Sequence, residues 1–279
     1  MYRFLLKPRW ILSHVFVLLV CVAMVNMGLW QLRRLDEKRT ANAKIETAMR
    51  EPAQPIATVL PDGASSTAAQ VSAAEYRPVV VTGRYRADEQ VLVMNRTHNG
   101  SPGYWVVTPL VQADGTAIAV LRGWIPYSYT PDGSWEDFAP PAGTVAVQGL
   151  VRQSQVRSSN SLVGSPKDPS TGTLRELARL DVGRLSQQLA ERTMPGYIEL
   201  VAQEPAVGEL PVVLDLPELS EGPHLGYAIQ WFAFTLLTLI VYPLLLIRVA
   251  RRRSLDGDDA AIEDRTAGPD PDPEDRGTT

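Results

Sequence analysis

The fold turns on residues 224–253, HLGYAIQWFAFTLLTLIVYPLLLIRVARRR. Leu225 to Ile247 is a run of 23 residues without a charge. At about 1.5 Å per residue it reaches roughly 35 Å, enough to cross a hydrocarbon core of about 30 Å with some tilt. Arg248, Arg251, Arg252 and Arg253 follow at once, whereas 208–223 contains no Lys or Arg. The stretch reads as a membrane helix whose Arg-rich end lies in the cytoplasm. At 100° per residue, His224, Trp231, Thr235, Thr238 and Tyr242 share one side, flanked by Tyr227 and Phe234, while Leu225, Ile229, Ala233, Leu236, Leu237, Ile240 and Leu244 share the other. The aliphatic side suits lipid; the aromatic and hydroxyl side suits a second helix or a flat aromatic ligand. Trp and Tyr near the end of a span also serve as interfacial anchors, so Tyr227 and Trp231 carry both readings.

A second charge-free run of 23 residues, Trp10 to Leu32, follows Arg3, Lys7 and Arg9. It outlasts the apolar part of a cleavable signal peptide and continues through NMGLWQL, so it reads as a retained anchor. The nine residues before it are few for a mitochondrial transit peptide, and the expected location is a bacterial plasma membrane. With two spans both termini share one side. Arg3, Lys7, Arg9 and the four C-terminal arginines outnumber Arg33, Arg34, Lys38, Arg39 and Lys44 by seven to five, which favours cytoplasmic termini and an extracytoplasmic middle. This span has its own stripe at heptad spacing, His14, Val17, Cys21, Met24, Gly28 and Gln31, with small and polar residues that admit a close partner helix. The simplest partner is the second span, antiparallel, with Trp30 and Gln31 expected near Gln230 and Trp231. Asn26 lies off the stripe, and nothing in the sequence accounts for it.

Between the spans, residues 33–51 continue the first helix on mixed charges until Pro52, and 53–75, rich in Ala, Ser and Pro, reads as a linker. From Tyr76 the pattern changes. Val79–Tyr85, Gln90–Asn95, Tyr104–Val111, Ala117–Trp124 and Val145–Arg152 are short runs of Val, Ile, Leu and aromatics separated by turn-forming segments, and they predict consecutive antiparallel strands. Asp181–Arg192 predicts one helix capped by Asp181; Tyr197–Ala202 and Val212–Leu214 predict further strands. The expected fold class is membrane α plus a mainly-β (α+β) extracytoplasmic domain: two transmembrane helices, 10–32 and 224–247, flanking an antiparallel sheet, curled or closed into a barrel, over 76–223. The short segment 1–9 and the stretch 248–279, a basic flank followed by an acidic tail expected to be disordered, are then cytoplasmic.

Charge and cysteine usage exclude several functions. The net charge of −4 divides into −7 for 254–279 and +3 for the rest, neither of which suggests nucleic acid. Cys21 is the only cysteine and sits within the first span, so no intrachain disulfide, Cys-pair metal site or covalent haem attachment is available. The three histidines, 14, 98 and 224, are spread over a span, a Gly-rich hairpin and a membrane edge; no catalytic triad or protein metal cluster is apparent, and a non-enzymatic protein is expected.

HLGYAIQW at 224–231 closely resembles the second membrane helix of the surfeit-locus family of cytochrome c oxidase assembly factors. GLWQLRRLDEK, NRTHNGSPGYWVVTPL, LRGWIP and PGYIEL resemble the family's other blocks in the family's order, covering the chain up to its acidic tail. The resemblance implies a biogenesis factor that assists haem a insertion, or early subunit assembly, for haem-copper cytochrome c oxidase. Expected partners are the oxidase catalytic subunit, the haem a synthesis machinery and the lipid bilayer. It also implies His224 as a haem a ligand, which Tyr227 and Trp231 could flank with flat apolar surface. An imidazole capping the helix start at the membrane edge is the other reading of His224. A stoichiometric accessory subunit of the oxidase or a respiratory supercomplex is the alternative function. His14 lies about 27 Å of helix from the outer boundary, so it cannot share one iron with His224.

Overall fold

A computed structural model describes residues 6–156, 166–206 and 208–266, with side-chain surroundings through residue 252. Two compact units emerge: Met1–Thr40 with Ser220–Thr279, and Ala41–Leu219.

The first unit is a pair of helices. α1 runs Pro8–Met49, so the charged continuation beyond Leu32 is helical as expected, and α5 starts at His224 and runs to Thr266. Both are long and apolar enough to cross a membrane. The helix passes Ser254, where disorder was expected: no proline occurs between Arg253 and Pro269 to stop it. Residues 267–279, the rest of the acidic tail, lie outside the described residues. Cys21, Gly28 and Leu35 are buried on α1, and Ala228, Thr235 and Ala250 on α5. Cys21, Gly28 and Leu35 on α1, and Ala228 and Thr235 on α5, are seven residues apart; Cys21, Gly28 and Thr235 belong to the stripes legible in the sequence, and Ala250 falls outside the repeat. The Gly28 backbone lies beneath the Phe232 ring, where a β-carbon would come within 2.7 Å of it.

The second unit begins with β1 (Gln54–Pro55), α2 (Ile56–Val59) and α3 (Ala68–Ala73). The expected linker is therefore partly helical. α3 carries a capping box, the Thr67 hydroxyl accepting from the Gln70 N–H and the Gln70 side chain from the Thr67 N–H, and Ile56, Leu60 and Val71 seal one end of the core. Next come β2 (Pro78–Tyr85), β3 (Val91–His98), β4 (Ser101–Val111), β5 (Thr116–Pro126) and β6 (Thr144–Gln153). They match the five predicted strands with ends extended. Asn99 and Gly100 both have positive φ and close the β3–β4 hairpin with a two-residue turn. After β7 (Glu176–Leu177), α4 spans only Val182–Ser186; the Asp181 carboxylate caps it by accepting from the Arg184 N–H at 3.0 Å. β8 already starts at Arg192 and runs to Glu204. The predicted helix is thus cut short, Leu189 packing on the α4 side of the core from a turn instead. Val212 contributes one bridge to Trp124 rather than a strand.

The sheet order is β1-β2-β6-β8-β5-β4-β3-β7, and β2 also pairs with β4 through Arg84↔Val111 and Tyr85↔Leu110. This closes β2, β6, β8, β5 and β4 into a ring, the barrel-like form expected. Gly83 permits the closure: a β-carbon there would sit 2.5 Å from the Val111 carbonyl oxygen. The sheet is mixed rather than antiparallel, because β5 and β8 run parallel, as do the short pairs β1/β2 and β3/β7. A parallel pair needs a long return path, and the chain between the two strands, 127–191, supplies it by way of β6, β7 and α4. β5 lies between β4 and β8 and is buried on both faces: Ile118 and Val120 enter one core cluster, Ala119 and Leu121 the other.

Candidate functional site

The resemblance points to the N-terminal end of α5, and the structure sets that end against α1. His224 is half-buried, and its Nδ1 lies 2.8 Å from Gln31 Oε1. An amide oxygen only accepts, so Nδ1 is the donor, and in the neutral ring it is Nε2 that offers its lone pair. Trp231, two turns along, is half-buried on the same stripe, its ring edge-on to Phe234 with centroids 6.4 Å apart. Tyr227 and Phe234, 48% and 44% exposed, stand on the outer flank. Of the three residues named from sequence, His224 and Trp231 thus share the α1-facing stripe and Tyr227 does not. Among the described residues no ring contact joins Tyr227 to either of the others.

Gln31 was on the expected α1 stripe but paired there with the wrong partners: it meets His224, not Gln230 or Trp231. At the other end of the pair, Tyr242 Oη lies 2.6 Å from His14 Nδ1 and 2.9 Å from Ser13 Oγ. The correct register was available as a spacing match, since 17 residues separate His14 from Gln31 and 18 separate His224 from Tyr242. In an apolar helix pair the polar side chains must find one another, and antiparallel helices align two such pairs only in this register. His14 and His224 fall at opposite ends.

Among the described residues of the sheet domain the one fully buried charge is Arg122. Its guanidinium donates to Phe138 O at 2.7 Å, Gln90 Oε1 at 3.1 Å and Ala139 O at 3.3 Å, and faces the Tyr85 ring. The Thr108 hydroxyl donates to the same Gln90 oxygen at 2.7 Å. Burial lowers the Arg122 pKa to about 10. This cage fastens the β5–β6 connection to the sheet. Trp124 is 7% exposed, and His98 leans on its indole at the β3–β4 hairpin with ring centroids 5.5 Å apart. Among the described residues no three His, Cys, Asp or Glu side chains cluster as metal ligands.

Fold and site together define a class: a barrel-like domain inserted between two apolar helices, with one oriented imidazole where the second helix begins. The SURF1 family model matches residues 18–236, and the chain belongs to the SURF1 family. It is 30% identical over 239 residues to an uncharacterised SURF1-like protein of Mycobacterium tuberculosis, covering 85% of this chain and 83% of that one. A SURF1-like protein of Rickettsia felis is 22% identical over 243 residues, covering 82% and 95%. The cytochrome oxidase assembly protein SHY1 of Saccharomyces cerevisiae is 36% identical over 101 residues, 36% of this chain and 24% of that one.

Proposed function

We propose that this chain is a membrane-anchored, non-enzymatic assembly factor for haem-copper cytochrome c oxidase, with α1 and α5 crossing a bacterial plasma membrane, the barrel domain outside and both termini inside. Its cargo in this reading is haem a, met by Nε2 of His224 and destined for the oxidase catalytic subunit. Family membership and the yeast assembly protein support the oxidase role. The observation that carries the haem assignment is the Gln31–His224 hydrogen bond. A metal-binding imidazole is characteristically held by a hydrogen bond at its other nitrogen, which fixes the tautomer and the ring plane. Trp231, Tyr227 and Phe234 offer apolar surface to a flat macrocycle, and iron in haem accepts a neutral imidazole as an axial ligand.

The test is the absorbance spectrum of the full chain purified from cells that make haem a, beside His224→Ala and His224→Gln at equal membrane abundance. Both variants should lose the haem a signal. Wild-type haem content in both, with normal oxidase spectra, would sink the ligand assignment and leave His224 as an interfacial anchor. Topology is tested separately. A thiol placed at exposed Ala113 in a Cys21→Ala background should react with an impermeant maleimide in intact spheroplasts, and reaction only after lysis would reverse the orientation. An accessory subunit would instead stay at one copy per oxidase through a mild-detergent column.

A further inference from the structure

α1 carries a second seam. Leu12, Val15, Leu19, Val22, Asn26 and Leu29 repeat at alternating steps of three and four residues, an unbroken heptad pattern with Asn26 where a buried polar residue would specify register. On the helix this seam lies nearly opposite the stripe that faces α5. Its apolar members are 43–70% exposed, and Asn26 is exposed too. The Asn26 amide donates only to Val22 O of its own helix, at 2.8 Å. Among the described residues one N–H and the carbonyl oxygen find no partner, within a charge-free run.

From this we infer that the outer seam of α1 pairs with the same seam of a second copy of the chain, with Asn26 hydrogen-bonded to Asn26 of that copy. The inference rests on the reading above that α1 spans a membrane, where an unpartnered amide is costly and a partner helix relieves the cost. Three features select a second copy over a foreign helix. An amide both donates and accepts, so it complements itself. Copies inserted with one topology have parallel α1 helices, and in a parallel pair equivalent seam positions face each other, which brings the lone Asn26 to its own counterpart at the same depth. The flanking Leu and Val residues supply a knobs-into-holes surface that needs no other chemistry from the partner. Arg33, the next position along the seam, falls just beyond the charge-free run, where headgroups and water accept its charge.

The experiment is oxidative cross-linking of the full chain in isolated membranes, in a Cys21→Ala background with single cysteines. Leu19→Cys and Val22→Cys should form a disulfide species of twice the 30.6 kDa chain, while Phe16→Cys and Met27→Cys, exposed but off the seam, should not. Adding Asn26→Leu should weaken the Leu19→Cys cross-link about three- to tenfold, the worth of an interhelical hydrogen bond in a membrane, and Asn26→Gln should restore most of it. Cross-linking at all four positions alike, indifference to Asn26→Leu, or a product of another mass would overturn the proposal. Release of the chain by alkaline carbonate would instead overturn the membrane reading itself, so the two failures are distinguishable.

Discussion

In the sheet domain the deepest polar group is a full positive charge, whereas in the helix pair the contacts that cross between α1 and α5 along the apolar run are made by amide, imidazole and hydroxyl groups. The difference follows from where backbone carbonyls are free. A helix spends its carbonyls on its own N–H groups, so side chains must supply every cross-helix partner, and a buried guanidinium would find too few. In the domain the β5–β6 connection has carbonyls to spare. Phe138 O, Ala139 O and the Gln90 amide oxygen solvate Arg122, and among the described residues no carboxylate is needed to do so. One unit fixes its geometry by caging a charge, the other by matching a few neutral groups along two stripes.

The largest effect should come from breaking the cage. Arg122→Met keeps most of the side-chain volume but leaves the Phe138 and Ala139 carbonyls buried without their donor, while the Gln90 amide oxygen keeps only the Thr108 hydroxyl. At about 1–3 kcal/mol for each unsatisfied group, partly relieved by relaxation, the cost should be about 3–5 kcal/mol. In the detergent-solubilised chain this should lower the urea midpoint of the domain and expose 127–143 to protease; an unchanged midpoint would show that the cage contributes nothing. Gly83→Ala comes next. Its β-carbon would meet the Val111 carbonyl oxygen where β2 meets β4, so the ring must open or strain, at about 1–3 kcal/mol. Hydrogen exchange should then rise at Arg84, Tyr85, Leu110 and Val111 before the rest of the barrel, and uniform protection would contradict a local closure.

The same contrast decides how much could be read from sequence. Periodicity and turn chemistry are local, so the five strands from Val79 to Arg152, the capped start of α4 and both helix stripes were legible. Pairing is not local. β5 and β8 are parallel because the chain runs through β6, antiparallel to β8, before it returns, and no residue in either strand encodes that. The uninterrupted apolar run Ala117–Leu121 suits a strand covered on both faces, but it does not name the neighbours or their direction. The α1–α5 register was half legible: the stripes stood out, but their alignment depended on matching polar pairs at both ends, and Gln31 was set several residues away from His224. Leu189 suited a longer α4 by spacing alone, yet a turn satisfies the same burial. α2 and α3 are short and Ala-rich, and only the Thr67–Gln70 capping box could have announced α3.

The helix pair yields smaller effects. Tyr242→Phe removes one hydroxyl that contacts both Ser13 and His14, and inside a membrane such contacts are worth about 0.6–1.7 kcal/mol. In mixed micelles titrated with SDS, tryptophan fluorescence should report helix separation at lower SDS for Tyr242→Phe than for wild type. Gln31→Leu should shift it comparably and, unlike Tyr242→Phe, should also reduce haem a content about ten- to hundredfold if Gln31 orients the His224 ring. Equal haem loss in both variants would mean that the pair's stability, rather than ring orientation, governs cargo binding.

The smallest effect tests whether the domain tolerates an uncaged charge. Glu176, at the start of β7, has its pKa raised, chiefly by burial and then by the neighbouring carboxylates Asp132 and Asp168. Unlike Arg122 it has no cage: among the described residues no salt bridge or side-chain hydrogen bond reaches it. A carboxyl whose folded pKa exceeds its unfolded value holds its proton more firmly in the folded state. It therefore favours folding while protonated, and that contribution is lost as pH rises through the folded value. Stability should thus decline as pH rises from the ordinary carboxyl range through the raised folded one on account of this group, and Glu176→Gln should abolish the decline. Because the side chain is partly solvated, the gain at pH 7 should be at most about 0.5 kcal/mol, or a rise in melting temperature of about 1–2 °C. Well below the ordinary carboxylate range, where the group is protonated in both folded and unfolded chain, wild type and variant should melt together. A variant gaining equally at both pH values would trace the effect to packing; one losing stability at pH 7 would mean that Glu176 is held by a partner in solution, and that the domain cages its negative charges as it cages Arg122.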